Sequence, residues 1–390
     1  MHPERAGRTA PASIYHEGKH GVSARSNHDE LAWFDFQMTL NFHVAQNIYP
    51  GTKDAWGKRQ QHQFKKTHNR LPIHRREIRG YMKKDPVWQM WSSLKRNNQE
   101  MSYHMRGQVI SRQEEVMTAT ALKTSKHSGS LELNPLVHVP RYLTAVDIHC
   151  MPGGYNANDG NGIFAGANYD IASLYLATGG ELGIWNDGAG WANVAFLQNH
   201  FPGFVPETIL DLGCTVGHST LPLKKAWPNA EVYAIDVCAP LLRYANARAD
   251  SLSTPIHFSQ QNAEDLDFED QSFDLIVSTM FLHEVPQAEM NRIAGEAYRL
   301  LKPHGLMLHN EQPQYHGQTP EEQFLREWDT WYNNEPMRCG FRDMNLGTWV
   351  EKAGFDKTKL ITKMAPGAML TKTGIKLTNE GLWLMIASQK

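Results

Sequence analysis

The fold is decided by the segment Glu207-Thr-Ile-Leu-Asp211-Leu-Gly213-Cys-Thr-Val-Gly217-His-Ser-Thr220. Its apolar start predicts a short strand, its two glycines predict a turn, and the residues from His218 predict a helix. Such a turn lets the backbone approach a ligand closely and points the N-terminus of the helix at it. Val232-Tyr-Ala-Ile-Asp236 predicts a second strand that ends in an acid. In a doubly wound sheet, that carboxylate lies where a ribose diol binds.

Alternating strands and helices follow this pair. We expect further strands at 256–259, 271–279 and 305–311, a closing strand pair at 360–362 and 382–387, and helices at 239–250 and 290–301. Lys302-Pro-His-Gly305 ends the second helix, as Pro and Gly do beyond a helix end. Strands that alternate with helices are typical of an α/β fold with a buried parallel sheet.

These residues resemble the class I S-adenosylmethionine-dependent methyltransferases. The first motif of that family is acid-x-Gly-x-Gly-x-Gly, and this chain has Asp211-Leu-Gly213-Cys-Thr215-Val-Gly217, with Thr215 at the middle glycine. A nicotinamide site would place G-x-G-x-x-G directly after the strand, which disfavours an oxidoreductase. The resemblance covers roughly residues 160–390. It implies a Rossmann-like seven-stranded methyltransferase sheet, S-adenosyl-L-methionine as cofactor and S-adenosyl-L-homocysteine as product.

The resemblance also implies where the cofactor binds. Asn168-Tyr169-Asp170 resembles the start of the Tyr-Asp helix in ubiquinone- and menaquinone-pathway methyltransferases, which implies a helix through Ala177 with Tyr169 over the cofactor; packing of Tyr169 in the core is the alternative. Residues after the third strand would flank the adenine. The predicted cofactor-binding residues are Tyr169, Asp211, Gly213, Cys214, Thr215, Gly217, Asp236, Val237, Asn262, Ala263, Glu264 and Thr279.

Direct in-line methyl transfer requires alignment of the nucleophile and exclusion of water, and a base helps when the nucleophile is protonated. His283 follows the fourth strand, and its pKa near neutrality makes it the predicted catalytic base. A purely structural hydrogen bond is the alternative for His283. The predicted substrate-binding residues lie on loops after the strands and in an aromatic insertion at about 312–350: Tyr155, Glu284, Glu311, Tyr315, Trp328, Trp331 and Tyr332.

Two kinds of ligand suit that insertion, and the sequence leaves both open. Its aromatic side chains suit a cation, through contact with the ring faces. Arg326, Arg338 and Arg342 suit a carboxylate instead.

The front of the chain has a different pattern. We predict a mobile tail at 1–28, a helical domain at 29–128, a linker or flap at 129–165 and the catalytic domain at 166–390. Asp85-Pro86 predicts the start of a helix, with Trp88 and Trp91 on its apolar face. Residues 97–122 predict one long helix, and 143–150 predict a strand. We expect the helical domain to contact the catalytic domain and help close its pocket.

A basic segment, Lys58 to Lys84, has two interpretations. It either docks RNA or an acidic protein, or it is a solvated face whose charges are balanced elsewhere. The second is favoured because the segment lacks interleaved aromatic residues. The main function hypothesis is a small-molecule methyltransferase; the alternatives are a protein or RNA methyltransferase and a non-catalytic cofactor-binding module.

The amino-acid composition limits the class of protein to which the chain can belong. The chain has 390 residues, 41% hydrophobic content and a formal charge of −2, which is typical of a folded enzyme. It contains no apolar run of about 18 residues and no apolar stretch behind its first residues, so we expect a cytoplasmic protein without a membrane span. Four scattered cysteines predict neither a metal site nor disulfides. We expect a small-molecule substrate, no nucleic-acid partner, and a possible homodimer through the helical domain.

Overall fold

The computed structural model describes residues 15, 17–123, 129–157, 162–171, 180 and 182–390. An eight-stranded sheet forms its centre, in the order β1-β4-β3-β2-β5-β6-β8-β7. All neighbours from β1 to β6 are parallel, whereas β8 runs antiparallel to both β6 and β7. The strands are β1 Ser130–Glu132, β2 Thr208–Leu212, β3 Glu231–Asp236, β4 His257–Gln260, β5 Phe273–Thr279, β6 Leu301–Glu311, β7 Ile361–Thr371 and β8 Gly374–Gln389.

The predicted α/β class and methyltransferase-like sheet are therefore confirmed, and the strand count is corrected. The additional strand is β1, which pairs Ser130 with His257 at the edge of the sheet. Its sequence, Ser-Leu-Glu, is too short and too polar to predict a strand by itself.

Helices cover both faces of the sheet because its central strands are apolar on both sides. In β2, Ile209 packs in the core cluster with α9 Gly188–His200, α10 Thr220–Ala226 and α11 Ala239–Ser251. Leu210, on the opposite face, packs with α12 Gln287–Leu300 and α16 Leu346–Ala353. Both side chains have no exposed surface, as expected where successive residues of a buried parallel strand point to opposite faces.

The amino-terminal region is helical, as predicted. It contains α1 His28–His43, α2 Tyr49–Asp54, α3 Gln61–His68, α4 Arg75–Met82, α5 Pro86–Ser111 and α6 Glu114–Lys123, with π-helical segments Val44–Ile48 and Ala55–Gln60 joining the first three. The side chain of Asp85 caps α5 by accepting from the N–H of Val87 (3.0 Å).

The prediction of one long helix at 97–122 is wrong. The helix ends at Ser111 because the next two side chains bind other parts of the chain. Arg112 donates to Glu30 (2.8 Å), and the Gln113 amide donates to the carbonyl of Arg25 (3.1 Å). The intrinsic preference of these residues for a helix is small, and tertiary contacts of this kind override it.

The insertion packs on the amino-terminal helices through aromatic contacts. It contains α13 Pro320–Arg326, α14 Trp328–Tyr332 and α15 Arg338–Asp343. The Trp88 and Phe324 rings lie 4.5 Å apart, and the Trp328 indole N–H donates to Ser92 Oγ (2.8 Å). Buried Arg75 of α4 forms ion pairs with Glu327 and Asp343. The expected contact between the helical region and the catalytic region is therefore present.

Other boundaries differ from the prediction. Residues 17–24 of the predicted mobile tail are packed, with Val22 and Ala24 almost fully buried; residues 1–14 lie outside the described residues. Residues 143–150 are not a strand, because His149 and Cys150 have positive φ and the segment holds α7 Arg141–Thr144 and a 3₁₀ turn. The Tyr-Asp helix is α8 Phe164–Asp170, and its predicted continuation from 172 lies outside the described residues.

The carboxylate of Asp170 joins four segments of the chain. It accepts from His20 (2.8 Å), from His218 beside the glycine turn (2.6 Å) and from the Tyr244 hydroxyl of α11 (2.7 Å). Burial would raise the pKa of Asp170, but His20 and His218 outweigh it, so the pKa lies well below its usual value. Among the described residues, no helix is both long and apolar enough to cross a bilayer.

Candidate functional site

The glycine turn and the end of β3 meet at Asp236. The backbone N–H of Thr215 donates to Asp236 Oδ2 (3.1 Å), and the N–H of Cys238 donates to Oδ1 (2.9 Å). Burial raises the pKa of Asp236 to about 6. The Val237 N–H and the Cys238 thiol also favour its charged form. A buried carboxylate at this place is a suitable acceptor for the hydroxyl groups of a diol.

The backbone of the turn is left-handed at both Gly213 (φ 68°) and Thr215 (φ 48°). A Cβ atom on Gly213 would lie 2.4 Å from the Phe281 ring, so the position requires glycine. Thr215 stands where the family has its middle glycine. Its bond to Asp236 stabilises the unusual conformation, which is how the turn accommodates this departure from the motif.

A cavity of about 60 Å³, here called the turn cavity, opens beside Asp236 at the carboxyl ends of the parallel strands. Predicted cofactor residues that line it are Gly213, Thr215, Asp236, Val237, Asn262 and Ala263. Two predicted substrate residues, Tyr155 and Glu284, also line it. The prediction missed Tyr142, Leu143, Ile235, Cys238, Gln261, Met280, Phe281 and Val285. Most of these are apolar and lie in loops where the sequence carries no motif.

The remaining predicted cofactor residues do not line the turn cavity. Asp211 accepts from Thr220 Oγ1 (2.6 Å), and burial raises its pKa to about 7. Thr279 accepts from the amide of Asn193 (2.9 Å), and Glu264 accepts from the Tyr142 hydroxyl (3.2 Å). Cys214 and Gly217 form the turn itself, and Tyr169 lines a different cavity. These side chains therefore support the loops or face away from the turn cavity.

The second cavity, here called the helix cavity, has a volume of about 290 Å³ and lies between α1, α5 and the insertion. Trp328 is the predicted substrate residue that lines it. One face of α5 supplies much of its wall: Trp91, Lys95, Asn98, Gln99, Ser102, Tyr103 and Arg106. The helical spacing of this polar stripe was visible in the sequence, but a polar helix face ordinarily predicts contact with solvent.

A cluster of polar side chains separates the two cavities. His149, from the helix cavity wall, has Nε2 3.1 Å from Glu284 Oε1 and 2.9 Å from the Tyr155 hydroxyl. Glu284 and Tyr155 belong to the wall of the turn cavity. His149 Nδ1 lies 3.2 Å from Glu335 Oε1. The Tyr155 ring lines the turn cavity and the Tyr169 ring lines the helix cavity, and the two ring centres lie 5.9 Å apart. Only a thin layer of side chains therefore separates the two cavities.

The charges of this cluster are matched within it. Burial would raise the pKa of Glu284, but His149 and His283 outweigh it and hold the pKa well below its usual value. Burial would lower the pKa of His149, but Glu284 outweighs it and the pKa is raised. His149, Glu284 and Glu335 also offer possible metal ligands within 4.8 Å of one another. Arg338 forms an ion pair with Glu335, so the charge balance does not require a metal ion.

The structure does not place His283, the predicted catalytic base, at the wall of either cavity, and its catalytic role stays a prediction. His283 is 1% exposed and lines neither cavity, with Nδ1 2.7 Å from Glu311 and Nε2 3.4 Å from Glu284. Glu311, a predicted substrate residue, is fully buried and accepts from the N–H groups of Phe281 (2.8 Å) and Leu282. Both side chains therefore position the loop that carries Glu284. The imidazole that faces a cavity is that of His149, which the sequence placed in a strand.

Three other predicted substrate residues lie outside both cavities. Tyr315 is buried, with the Arg75 guanidinium 4.3 Å from its ring centre. Trp331 is half exposed and stacks with Arg79 (4.2 Å), and Tyr332 packs against Trp328. The three arginines of the insertion, Arg326, Arg338 and Arg342, do line the helix cavity.

Part of the chain is similar to known proteins. Residues 209–305 match a family model described as a methyltransferase domain. This match supports a class I S-adenosylmethionine-dependent methyltransferase domain within this range. It is 32% identical over 145 residues to a demethylmenaquinone methyltransferase of Thermus thermophilus, and 31% identical over 104 residues to a malonyl-[acyl-carrier protein] O-methyltransferase of Xylella fastidiosa. These matches cover 37% and 27% of this chain, and 61% and 34% of the two relatives.

Structure comparison also matches part of the chain to solved structures, among them an S-adenosylmethionine-dependent methyltransferase of Methanosarcina mazei. That structure is 25% identical, with a TM-score of 0.35, and the match covers 50% of this chain and 96% of that one. A putative methyltransferase of Methanococcus maripaludis is 17% identical, with a TM-score of 0.39 and coverage of 57% and 92%. The cofactor of the family is S-adenosylmethionine.

Proposed function

We propose that the protein transfers a methyl group from S-adenosylmethionine to a small molecule bound in the helix cavity. The observation that carries the proposal is the closeness of the two cavities, which are separated by the side chains of His149, Tyr155 and Glu284. These side chains must move apart for the methyl group to reach the nucleophile. The turn cavity has the features of a nucleoside site. The helix cavity, at about 290 Å³, is close to the lower limit of about 300 Å³ for small-ligand pockets. The matched relatives, which share only part of their length with this chain, include enzymes named for quinone and acyl-carrier-protein substrates.

The residues of the turn cavity fit the cofactor. Asp236 offers a buried carboxylate as an acceptor for the ribose diol, and Gly213 lets the backbone approach without a Cβ atom. Asn262 and Ala263 line the same cavity, where they would flank the adenine. The bound cofactor supplies an activated methyl group, and it requires no covalent intermediate with the protein.

The chain's own contribution is orientation, exclusion of water and control of a proton. The nucleophile would lie against His149, on the helix cavity side of the wall. His149 in its neutral form, with its Nε2–H directed at Glu284, would accept the proton of the nucleophile at Nδ1, which lies on the side of the helix cavity residues Asn333 and Glu335. Glu284 would stabilise the resulting imidazolium from 3.1 Å. The Tyr155 hydroxyl, whose pKa is raised well above its usual value by burial, stays protonated and holds the pair in place. His283 and Glu311 orient Glu284 from behind.

The basic segment does not favour the alternative of a docked RNA or protein. Many of its cations already have partners: Arg59 with Asp85, Arg70 with Glu77 and Arg75 with Glu327. These contacts agree with the interpretation that its charges are balanced within the chain. The homodimer and the cytoplasmic location stay predictions.

The proposal is tested in two steps. Calorimetry with S-adenosylhomocysteine should show one binding site per chain, and this binding should weaken in Asp236→Ala. A screen of small metabolites with a methyl-labelled cofactor should then transfer label to a molecule of low molecular mass. Transfer of label only to protein or RNA would contradict the proposal of a small-molecule substrate. A protein that does not bind S-adenosylhomocysteine would contradict the methyltransferase assignment.

A further inference from the structure

We propose that the substrate carries an oxyanion group, a carboxylate or a phosphate, that binds Arg106 in the helix cavity. This inference rests on the proposed function and specifies the class of its substrate. Arg106 lies on α5 and is 2% exposed, yet it lines the cavity. Among the described residues, no carboxylate lies within ion-pair distance of its guanidinium, and the charge of Glu17 acts on it from farther away. A buried charge without a counter-ion is costly, so its place in a ligand cavity points to a partner that arrives with the ligand.

The contacts that Arg106 does make fix its orientation without neutralising it. Its Nε donates to the carbonyl of Ser102 (3.2 Å), and Nη1 donates to the carbonyl of Asn168 (3.3 Å). The guanidinium lies 3.8 Å from the centre of the Tyr103 ring. A guanidinium held in this way is ready to donate to an oxyanion, whose geometry matches its planar donors.

Two other buried arginines of the chain, by contrast, are paired with carboxylates. Arg75 is paired with Glu327 and Asp343, and Arg338 is paired with Asp329 and Glu335. Arg106 differs from both because its partners are carbonyl groups and an aromatic ring.

The charge of the whole cavity wall agrees with an anionic ligand. Its cationic lining residues are Lys95, Arg106, Arg326, Arg338 and Arg342, and its carboxylates are Asp329 and Glu335. His149 also lines the wall, but its charge is matched by Glu284. The lining therefore has more cationic than anionic side chains, which favours the carboxylate interpretation of the insertion over the cationic one.

The position of Arg106 would orient the nucleophile. Along α5, Gln99 donates to the carbonyl of His149 (3.1 Å), and Arg106 follows two helical turns later, about 10 Å along the axis. Tyr103 lies between them on the same face. An oxyanion at Arg106 therefore leaves the other end of a ring-sized molecule at His149, where the transfer would occur.

A stability measurement tests the first half of this inference without any ligand. In the absence of ligand, Arg106→Met should keep or raise the melting temperature, because it removes an unpaired buried charge. Arg75→Met is the matched control, and it should lower the melting temperature by several degrees because it removes the partner of Asp343 and leaves buried Glu327 with Arg79 alone, at 3.4 Å. If Arg106→Met lowers the melting temperature as much as Arg75→Met does, Arg106 is a structural residue and the inference fails.

A binding measurement tests the second half. The probes are benzoate and phenyl phosphate, with benzamide and phenol as neutral matches, at constant ionic strength. At about 100 times its Kd, the preferred anion should raise the melting temperature of the wild type by roughly 3 °C. This effect should disappear in Arg106→Met and persist in Arg112→Met, an exposed position farther along the same helix region. Comparison of benzoate with phenyl phosphate shows whether the site prefers a carboxylate or a phosphate.

Equal stabilisation by the anions and their neutral matches, or an undiminished effect in Arg106→Met, would overturn the inference. S-adenosylhomocysteine binding is measured on the same proteins and should be unchanged in Arg106→Met. If the wild type does not bind S-adenosylhomocysteine, the proposed methyl transfer is wrong. The anion measurement would still report on the role of Arg106. The two failures are therefore distinguishable.

Discussion

The turn cavity and the helix cavity are built in different ways. The first is made by loops that directly follow strands, and its main polar contact joins Thr215 to Asp236 across two adjacent strands. The second brings α5 against an insertion more than 200 residues later, as in the bond from Trp328 to Ser92. The first cavity thus depends on local sequence, whereas the second depends on how distant helices pack. We expect substitutions in the two cavities to separate cofactor binding from substrate chemistry.

The largest effect is expected at the wall between the cavities. His149→Gln should lower kcat by roughly 10²–10⁴-fold, because the amide cannot accept the proton of the nucleophile. S-adenosylhomocysteine affinity should stay the same, since His149 lies on the helix cavity side. Steady-state kinetics and calorimetry measure the two quantities.

His283→Gln is the control for that substitution, and it should lower kcat less because His283 only positions Glu284. A larger loss in His283→Gln than in His149→Gln would restore His283 as the base.

The next effect should appear in the turn cavity alone. Asp236→Ala should weaken S-adenosylhomocysteine binding by about 2–4 kcal/mol, the cost of removing hydrogen bonds to a charged group. Glu264→Ala is the matched control, since Glu264 was expected to bind the cofactor but does not line the cavity. Calorimetry should show nearly unchanged affinity in the control. Equal losses in both variants would mean that the cavity is not the cofactor site.

The pH dependence should report on His149. Because the pKa of His149 is raised above 6.5, its basic form is lost as the pH falls through that higher value. The value of kcat/KM should therefore fall about tenfold per pH unit below the pKa, and it should level off above it. A pH profile that is the same in wild type and His149→Gln would show that no proton passes through this side chain.

The smallest effect is expected in the basic segment. Lys58 and Asp54 form an exposed i,i+4 pair with 73% and 60% of the side chains exposed. Such pairs contribute only a few tenths of a kcal/mol, so Lys58→Gln should change neither stability nor turnover measurably. A large loss of activity in Lys58→Gln would support docking of a macromolecular substrate by this segment.

The sequence predicted the turn cavity better than the helix cavity, for a physical reason. Gly213 and Asp236 follow strands that the hydrophobic pattern reveals, and the carboxyl ends of parallel strands meet at one edge of the sheet. Arg106 has no such local signal, because its role appears only when α5 packs against α8 and the insertion. His149 was hidden for another reason: its positive φ interrupts a segment whose composition predicts a strand.

The errors in the predicted segment boundaries also come from contacts that local sequence does not reveal. The end of α5 at Ser111 and the packing of residues 17–24 both depend on contacts between distant parts of the chain. Thr215 shows the opposite case. The sequence marked it as a stiff residue at a glycine position, and the structure supplies the neighbouring carboxylate that holds it there.

The shared carboxylate of Asp170 couples the start of the described chain to the glycine turn. Release of residues 17–24 would withdraw His20 and leave a buried carboxylate with fewer donors, while His218 still holds its other oxygen. Local opening of this segment is therefore opposed by the same charge that anchors the turn. Amide hydrogens of residues 17–24 should exchange with solvent more slowly whenever a ligand orders the turn, although the segment lines neither the turn cavity nor the helix cavity.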